Sequence, residues 1–276
     1  MRNTDLRAAL EMVALSDPGM VREHNEDAVA IDNSMGMAIL ADGMGGYNAG
    51  EVASGMAIAC ISTELKLRMP GVELHKRDPE SGRPQAHRLL LDAIANANRE
   101  IFQTARNQPQ CAGMGTTLVV TLFYDNRLSV AHIGDSRLYR LRDERLEVLT
   151  RDHSLLQEQI DSGLLTEEQA RHAHYRNLVT RALGIDDAVE ADINDYEVEE
   201  GDLYLLCSDG LNDMLTDDEI SEAMQMLGSN LPLASQQLVQ MANDAGGKDN
   251  VSVILAQVKG SFKTRRSRFS WLLPWL

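Results

Sequence analysis

Four aspartates in this chain stand at the ends of apolar runs. Ala38-Ile39-Leu40-Ala41 leads into Asp42-Gly43, Leu128 to Ile133 into Gly134-Asp135-Ser136, and Leu203 to Cys207 into Ser208-Asp209-Gly210. The fourth, Asp249, precedes the run Val251-Ser252-Val253-Ile254-Leu255. A strand tip holds a carboxylate on a rigid element, and several converging tips make an oxygen-rich site for hard divalent cations. Singly, Asp42 suits a bare turn equally well, and Asp135, Asp209 and Asp249 are each more often turn or cap residues. The repeated context favours a shared site, because clustered carboxylates repel one another and a metal is their natural counter-charge.

Two further groups could join such a site. Arg22-Glu23-His24-Asn25-Glu26-Asp27 places a guanidinium near an acidic cluster, and the guanidinium fork matches phosphate oxygens. A surface salt bridge is the plainer reading of that group. Asp42-Gly43-Met44-Gly45-Gly46 has three glycines in four positions, which lets the backbone turn sharply and lets a carbonyl face an ion. Glu51, just beyond, suits the first turn of a helix, where it complements the dipole.

The elements that must position these residues follow from periodicity. Residues 9–15, 27–32 and 36–41 read as strands, with hairpin chemistry at Asp32-Asn33-Ser34-Met35-Gly36. Ala49 to Met69 has helical spacing, with Val52, Met56, Ala59, Ile61 and Leu65 as its apolar positions, and Pro70-Gly71 stops it. Residues 71–85 read as a loop and 86–107 as a second helix. From Thr116 to Thr150 the pattern is strands joined by tight turns at Asp125-Asn126 and Arg142-Asp143-Glu144, hence antiparallel neighbours. Residues 154–184 read as short charged helical pieces, with a capping-box start at Thr166-Glu167-Glu168-Gln169. Residues 217–227 and 231–245 are helical, and 250–258 is a strand. Two helix pairs with antiparallel strands between and around them imply an α+β fold, in which helices cover the outer faces of two packed sheets.

The chain has 276 residues, 43% of them hydrophobic, enough for a sizeable core. Its formal net charge of −16 argues against nucleic acid as a partner. The odd, widely spaced Cys60, Cys111 and Cys207 suggest neither a disulfide framework nor a zinc site, and point to a reducing compartment. No secretion signal is visible, and no apolar stretch reaches the roughly 20 residues that span a bilayer. A cytoplasmic location is therefore expected.

The order of motifs adds a resemblance. Arg22-x-x-x-Glu26-Asp27, Asp42-Gly43-Met44-Gly45-Gly46, Gly115-Thr116-Thr117, Gly134-Asp135-Ser136-Arg137, Asp152-His153-Ser154, Thr180-Arg181-Ala182-Leu183-Gly184, Ser208-Asp209-Gly210-Leu211 and Lys248-Asp249-Asn250 occur as in the PPM-type metal-dependent Ser/Thr protein phosphatases. The bacterial branch of this protein phosphatase 2C-like group is the most similar, over about residues 9–258. The resemblance implies a four-layer αββα sandwich, with a phosphatase domain over residues 1–260 and a variable flap at about 154–179. It also implies hydrolysis of phosphoserine and phosphothreonine by a water activated between two Mn²⁺ or Mg²⁺ ions, with no phosphoenzyme. Asp42 would bridge the ions with the Gly43 carbonyl on one of them, and Asp209 and Asp249 would complete the other shell. Asp135 would join Asp209 at a weaker third ion. Glu26, Asp27 and Asn250 would lie behind these ligands, the two acids acting mainly through waters of the metal shell. Arg22 would hold the substrate phosphate.

One departure concerns proton transfer. Eukaryotic members often carry His where this chain has Met44, which cannot transfer a proton. His153 is an alternative donor, although a His at such a loop start is more often structural. The flap, with Ser162-Gly163 and Arg171, His172, His174, Tyr175 and Arg176, is expected either to gate access or to be a solvated helical hairpin. Residues 261–276 hold Lys263, Arg265, Arg266 and Arg268 with Trp271 and Trp275. That composition suits weak docking to a membrane surface or a partner, and equally a tail folded back on the acidic body. Phosphorylated proteins, including a Ser/Thr kinase and its substrates, are the expected partners in signalling. A catalytically silent phosphoprotein-binding module or a small-molecule metal phosphohydrolase on the same fold are the competing readings. The silent module would be expected to lack a core aspartate, and Asp42, Asp209 and Asp249 are all present.

Overall fold

The computed structural model describes residues 5–46, 48–79, 81–166, 169 and 178–263. Among them the strands are β1 (Leu10–Asp17), β2 (Asp27–Asp32), β3 (Met37–Met44), β4 (Gly115–Thr116), β5 (Leu118–Tyr124), β6 (Arg127–Ile133), β7 (Arg137–Arg142), β8 (Arg145–Val148), β9 (Asp192–Glu197), β10 (Leu203–Cys207) and β11 (Val251–Val258). The helices are α1 (Ala49–Arg68), α2 (Gln85–Asn107), α3 (Leu155–Asp161), α4 (Asp209–Asn212), α5 (Asp217–Leu227) and α6 (Leu231–Asp244). One antiparallel sheet has the order β1-β11-β10-β7-β8; the other is β2-β3-β5-β6-β9, with β4 paired to β3. Asp125 and Asn126 (φ 49° and 55°) and Asp143 and Glu144 (φ 49° and 62°) are left-handed pairs. Such pairs make the hairpin turns whose twist matches the flanking strands.

Three apolar layers glue four structural layers together. Ile61, Leu65, Leu90 and Ile94 of α1 and α2 pack on Ile39, Val120 and Leu122. Between the sheets, Leu40, Val119 and Phe123 meet Leu10, Met12, Tyr204 and Ile254. There the Phe123 and Tyr204 rings make an edge-on contact at 5.3 Å. On the far face, Ile220 and Leu238 of α5 and α6 cover Leu205, Val253 and Leu255. Each fully buried side chain of this size contributes about 1.5–3 kcal/mol, so the sheets form a rigid base for whatever their loops carry. The expected αββα arrangement is thus the one observed.

Three expectations need correction. β3 runs on through Asp42, so this aspartate lies inside a strand rather than beyond its tip; pairing of Asp27 with Asp42 and of β4 with Gly43 and Met44 prolongs the ladder. The buried face of α1 is Ala49, Gly50, Ala53, Ser54, Ala57, Ile61 and Leu65, while Val52 and Ala59 face solvent. Ile61 and Leu65 are buried as expected and Met56 packs partly on the same layer, while small residues on the rest of this face let the helix sit close to the strands. β9 is an edge strand of sequence Asp-Ile-Asn-Asp-Tyr-Glu with no apolar run to announce it, and reading the sequence misses it.

The Thr166 start is a capping box: the Thr166 N–H donates to Gln169 Oε1 (2.9 Å) and the Gln169 N–H to Thr166 Oγ1 (3.2 Å). The flap contacts expected of Arg171, His172, His174, Tyr175 and Arg176 lie outside the described residues, as does the tail from residue 264 onward. At the root of the tail, Phe262 is buried and its N–H donates to Asn126 Oδ1 (2.7 Å). Among the described residues no helix is long and apolar enough to cross a membrane.

Candidate metal centre

Asp27 on β2 and Asp42 on β3 face each other across the ladder, a placement that costs energy for two like charges. Both main-chain polar groups of Asp42 are pinned from the Gly115-Thr116-Thr117 segment. Its N–H donates to Thr117 Oγ1 (3.1 Å), and its carbonyl accepts from the Thr117 N–H (2.8 Å) and Thr116 Oγ1 (2.9 Å). Thr117 Oγ1 also shares a hydrogen bond with Ser136 Oγ (2.7 Å), tying Asp42 to the loop that carries Asp135. Ser208 Oγ donates to Asp27 Oδ2 (2.8 Å) while accepting from the Ser252 N–H (2.9 Å), which ties Asp27 to the strand ends that carry Asp209 and Asp249.

The Glu26 and Asn250 placements complete the frame. Asn250 Oδ1 accepts from the Glu26 N–H (2.8 Å), and its Nδ2 donates to the carbonyls of Pro18 (3.0 Å) and His24 (2.9 Å). Gly50, at the N-terminus of α1, donates its N–H to the Glu26 carboxylate. Ser54 Oγ donates to the Glu26 carbonyl (2.6 Å). Arg22 Nη2 meets Asp249 Oδ2 at 2.7 Å, so the expected phosphate clamp lies at the rim, paired with a candidate ligand. Gly43 donates its N–H to the Glu26 carbonyl (3.1 Å). A Cβ on Gly43 would collide with the Gly50 carbonyl oxygen and sit 2.7 Å from the Glu26 carbonyl oxygen. Gly43→Ala is therefore expected to push α1 off β3 at a cost of about 2–4 kcal/mol, read as a fall of at least about 5 °C in Tm by calorimetry.

The electrostatics favour a cationic partner for these carboxylates. Burial first, then Asp27, Asp209, Asp135 and Asp249, push the Asp42 carboxyl well above the usual range. Burial, then Asp135 and Asp213, do the same to Asp209. Burial raises Asp27 to about 6, and burial with Asp152 nearby raises Asp135 to about 6. Among the described residues, Asp27 Oδ1 is buried without a hydrogen-bond partner. Clustered hard oxygens, mutual repulsion and an orphaned carboxylate oxygen fit Mg²⁺ or Mn²⁺; the neighbouring thioether of Met44 is too soft to compete for such ions.

These shifts set a pH dependence. A carboxyl whose folded pKa is raised stabilises the fold below its unfolded pKa and loses that contribution as pH rises through the folded value. Asp27 and Asp135 lose theirs between the ordinary 3.8 and about 6. The stabilisation that Mn²⁺ adds over chelator is accordingly expected to grow across this window by an amount on the order of a few kcal/mol, read as a larger rise in Tm. Calorimetry at pH 4.5 and 7 checks it.

Asp213 was missed in the sequence, although its i,i+4 spacing from Asp209 on a helical turn was a usable signal. It raises the pKa of both Asp135 and Asp209, and its N–H donates to the Asp209 carbonyl (2.8 Å). The supporting Thr117, Ser136 and Ser208 gave no signal beyond their motif context. Elsewhere, His132, His153 and Asp192 bring potential ligand atoms within 4.8 Å. His153 Nδ1 accepts from the Gly134 N–H (3.2 Å), which leaves the proton on Nε2, facing Asp192 Oδ2 at 3.4 Å. His132 Nε2 bonds the Arg151 carbonyl (2.7 Å). Burial holds both imidazoles below their usual pKa, so they are neutral near pH 7. This group braces Gly134 just before Asp135 through His153. Burial raises the Cys207 thiol to about 12, which leaves it inert as a nucleophile.

Comparison with known proteins bears on the family and the fold. The family model for protein phosphatase 2C matches residues 21–245. The serine/threonine protein phosphatase PstP of Mycobacterium tuberculosis is 40% identical over 249 residues, 90% of this chain; the chain spans 45% of the length of that relative. Protein phosphatase PhpP of Streptococcus pneumoniae is 38% identical over 254 residues, covering 90% of this chain and 98% of the relative. The crystal structure of the catalytic domain of PstP in complex with 2 manganese ions aligns with a TM-score of 0.79 at 39% identity, over 91% of this chain and 99% of that one.

Proposed function

The chain belongs to the protein phosphatase 2C family, and from that premise we propose that it removes phosphate from phosphoserine and phosphothreonine in proteins, in a metal-dependent reaction without a phosphoenzyme. The observation that supports this reading is the buried Asp42 carboxyl, on which Asp27, Asp209, Asp135 and Asp249 all act. When bound, two Mn²⁺ or Mg²⁺ ions supply Lewis acidity and lower the pKa of the attacking water. Asp42 and the Gly43 carbonyl would hold them on one side, and Asp209 and Asp249 on the other. Asp135, Asp209 and Asp213 would serve a weaker third ion. Glu26, Asp27 and Asn250 stand behind these ligands and fix their positions. Arg22, half exposed beside Asp249, would receive the substrate phosphate with its guanidinium fork.

A panel of phosphothreonine peptide, phosphotyrosine peptide and sugar phosphate, assayed with Mn²⁺, tests the reading. Release mainly from the phosphothreonine peptide supports it. Preference for the sugar phosphate would favour a metabolite phosphohydrolase, and no release from any would favour a silent binding module. The expected partners are a Ser/Thr kinase and the proteins it modifies. The basic, Trp-containing segment at residues 261–276 is proposed to dock weakly on an anionic membrane surface. Flotation with anionic liposomes, equal for the chain with and without this segment, would refute that role.

A further inference from the structure

Met20 and Val21 are 70% and 65% exposed, and among the described residues they are the only adjacent pair of exposed large hydrophobics. A single exposed apolar residue is ordinary. This pair differs because its backbone is fixed while its side chains are left in solvent. The Met20 and Val21 N–H groups donate to the Gly247 carbonyl (2.8 and 3.2 Å). Asn250 Nδ2 fastens both ends of the segment, at the carbonyls of Pro18 (3.0 Å) and His24 (2.9 Å). Gly19 is left-handed (φ 78°), and a Cβ there would collide with the Asp249 carbonyl oxygen. A Cβ on Gly247 would likewise sit 2.7 Å from Met20 Cγ. The segment is thus seated on the same loop that presents Asp249.

Arg22 follows directly, with Nη2 2.7 Å from Asp249 Oδ2. Consecutive Cα atoms are about 3.8 Å apart, so Met20 and Val21 stand within about 8 Å of the Arg22 backbone, the span of two residues of an extended peptide. We propose that Met20 and Val21 form an apolar ledge that receives an apolar side chain of the phosphoprotein, within two residues of the phosphorylated one. The occupant is an extended substrate segment carrying Leu, Ile, Val or Met, because the ledge is continuous with the residue that receives phosphate. This inference rests on the phosphatase reading and adds a substrate preference to it.

The test uses the full chain with Mn²⁺ and two phosphothreonine peptides that differ only in the residues flanking the phosphothreonine, leucine in one and serine in the other. The wild type is expected to favour the leucine peptide by about tenfold in kcat/KM, through KM. In Met20→Gln/Val21→Thr, which keeps side-chain size and changes polarity, the ratio is expected to fall close to one. Met20→Ala alone is expected to lower it part of the way. Equal kcat/KM for the two peptides in the wild type, or an unchanged ratio in the double variant, would overturn the ledge. So would a concentration-dependent dimer in sedimentation that the double variant abolishes, since a second copy would then be the occupant. Hydrolysis of neither peptide by the wild type would instead overturn the phosphatase reading, and the ledge with it.

Discussion

Asp42→Asn is expected to lower Mn²⁺-dependent phosphate release by about a thousandfold or more, and to raise the Tm of the chelated protein. The two effects have one cause. Asp42 faces Asp27 across β2 and β3 and feels Asp209, Asp135 and Asp249 as well. Removing its charge relieves repulsion in the metal-free fold, while both main-chain anchors to Thr117 survive because they do not involve the side chain. The same change removes the shared anionic ligand of the proposed ion pair, and with it several kcal/mol of transition-state stabilisation. Phosphate release and calorimetry on one preparation separate this account from simple misfolding. Activity within tenfold of the wild type, or a lowered Tm in chelator, would contradict it.

Arg22→Ala is expected to reduce kcat/KM on a phosphothreonine peptide by about 10–100-fold, the range for losing a charge-assisted pair to phosphate. Inhibition by inorganic phosphate is expected to weaken by a similar factor, because the product presents the same oxygens. Arg22→Lys is expected to recover only part of the loss, since an ammonium cannot match two oxygens at once. The Arg22 contact with Asp249 adds a second consequence: without the guanidinium, Asp249 loses its hydrogen-bonded cation, and Mn²⁺ faces one competitor fewer. The Mn²⁺ concentration for half-maximal activity is therefore expected not to rise. An increase would mean that Arg22 orients Asp249 for the metal rather than handling phosphate.

Much of this was legible in the residues. The four aspartates and the Arg22 cluster are marked by their flanking apolar runs and glycines, and strands paired by two-residue turns show themselves through Asp125-Asn126 and Asp143-Glu144. What stayed hidden has physical reasons. β9 is an edge strand held partly by side chains, such as Asp195, which bonds His87 Nε2 at 2.8 Å, so hydrophobic alternation is absent. The N-terminal part of the inner face of α1 is small rather than greasy, because Gly50 must approach Gly43 and Glu26. Asp213 sits one helical turn past Asp209, where a polar residue on a short helix reads as solvated. The hydroxyls of Thr117, Ser136 and Ser208 cross-link loops far apart in sequence, and no local pattern reveals which loop a hydroxyl will meet.

The central claim is that oxygen ligands on Asp42, Asp209 and Asp249 hold the divalent ions on which phosphoprotein hydrolysis depends. Its most direct test is phosphate release from a phosphothreonine peptide by the wild type and by Asp209→Ala, titrated with Mn²⁺ and then with chelator. The account predicts release that saturates with Mn²⁺, vanishes on chelation, returns when Mn²⁺ is restored, and is nearly absent in Asp209→Ala at any Mn²⁺ concentration. Release that survives the chelator, or that Asp209→Ala leaves unchanged, would contradict it.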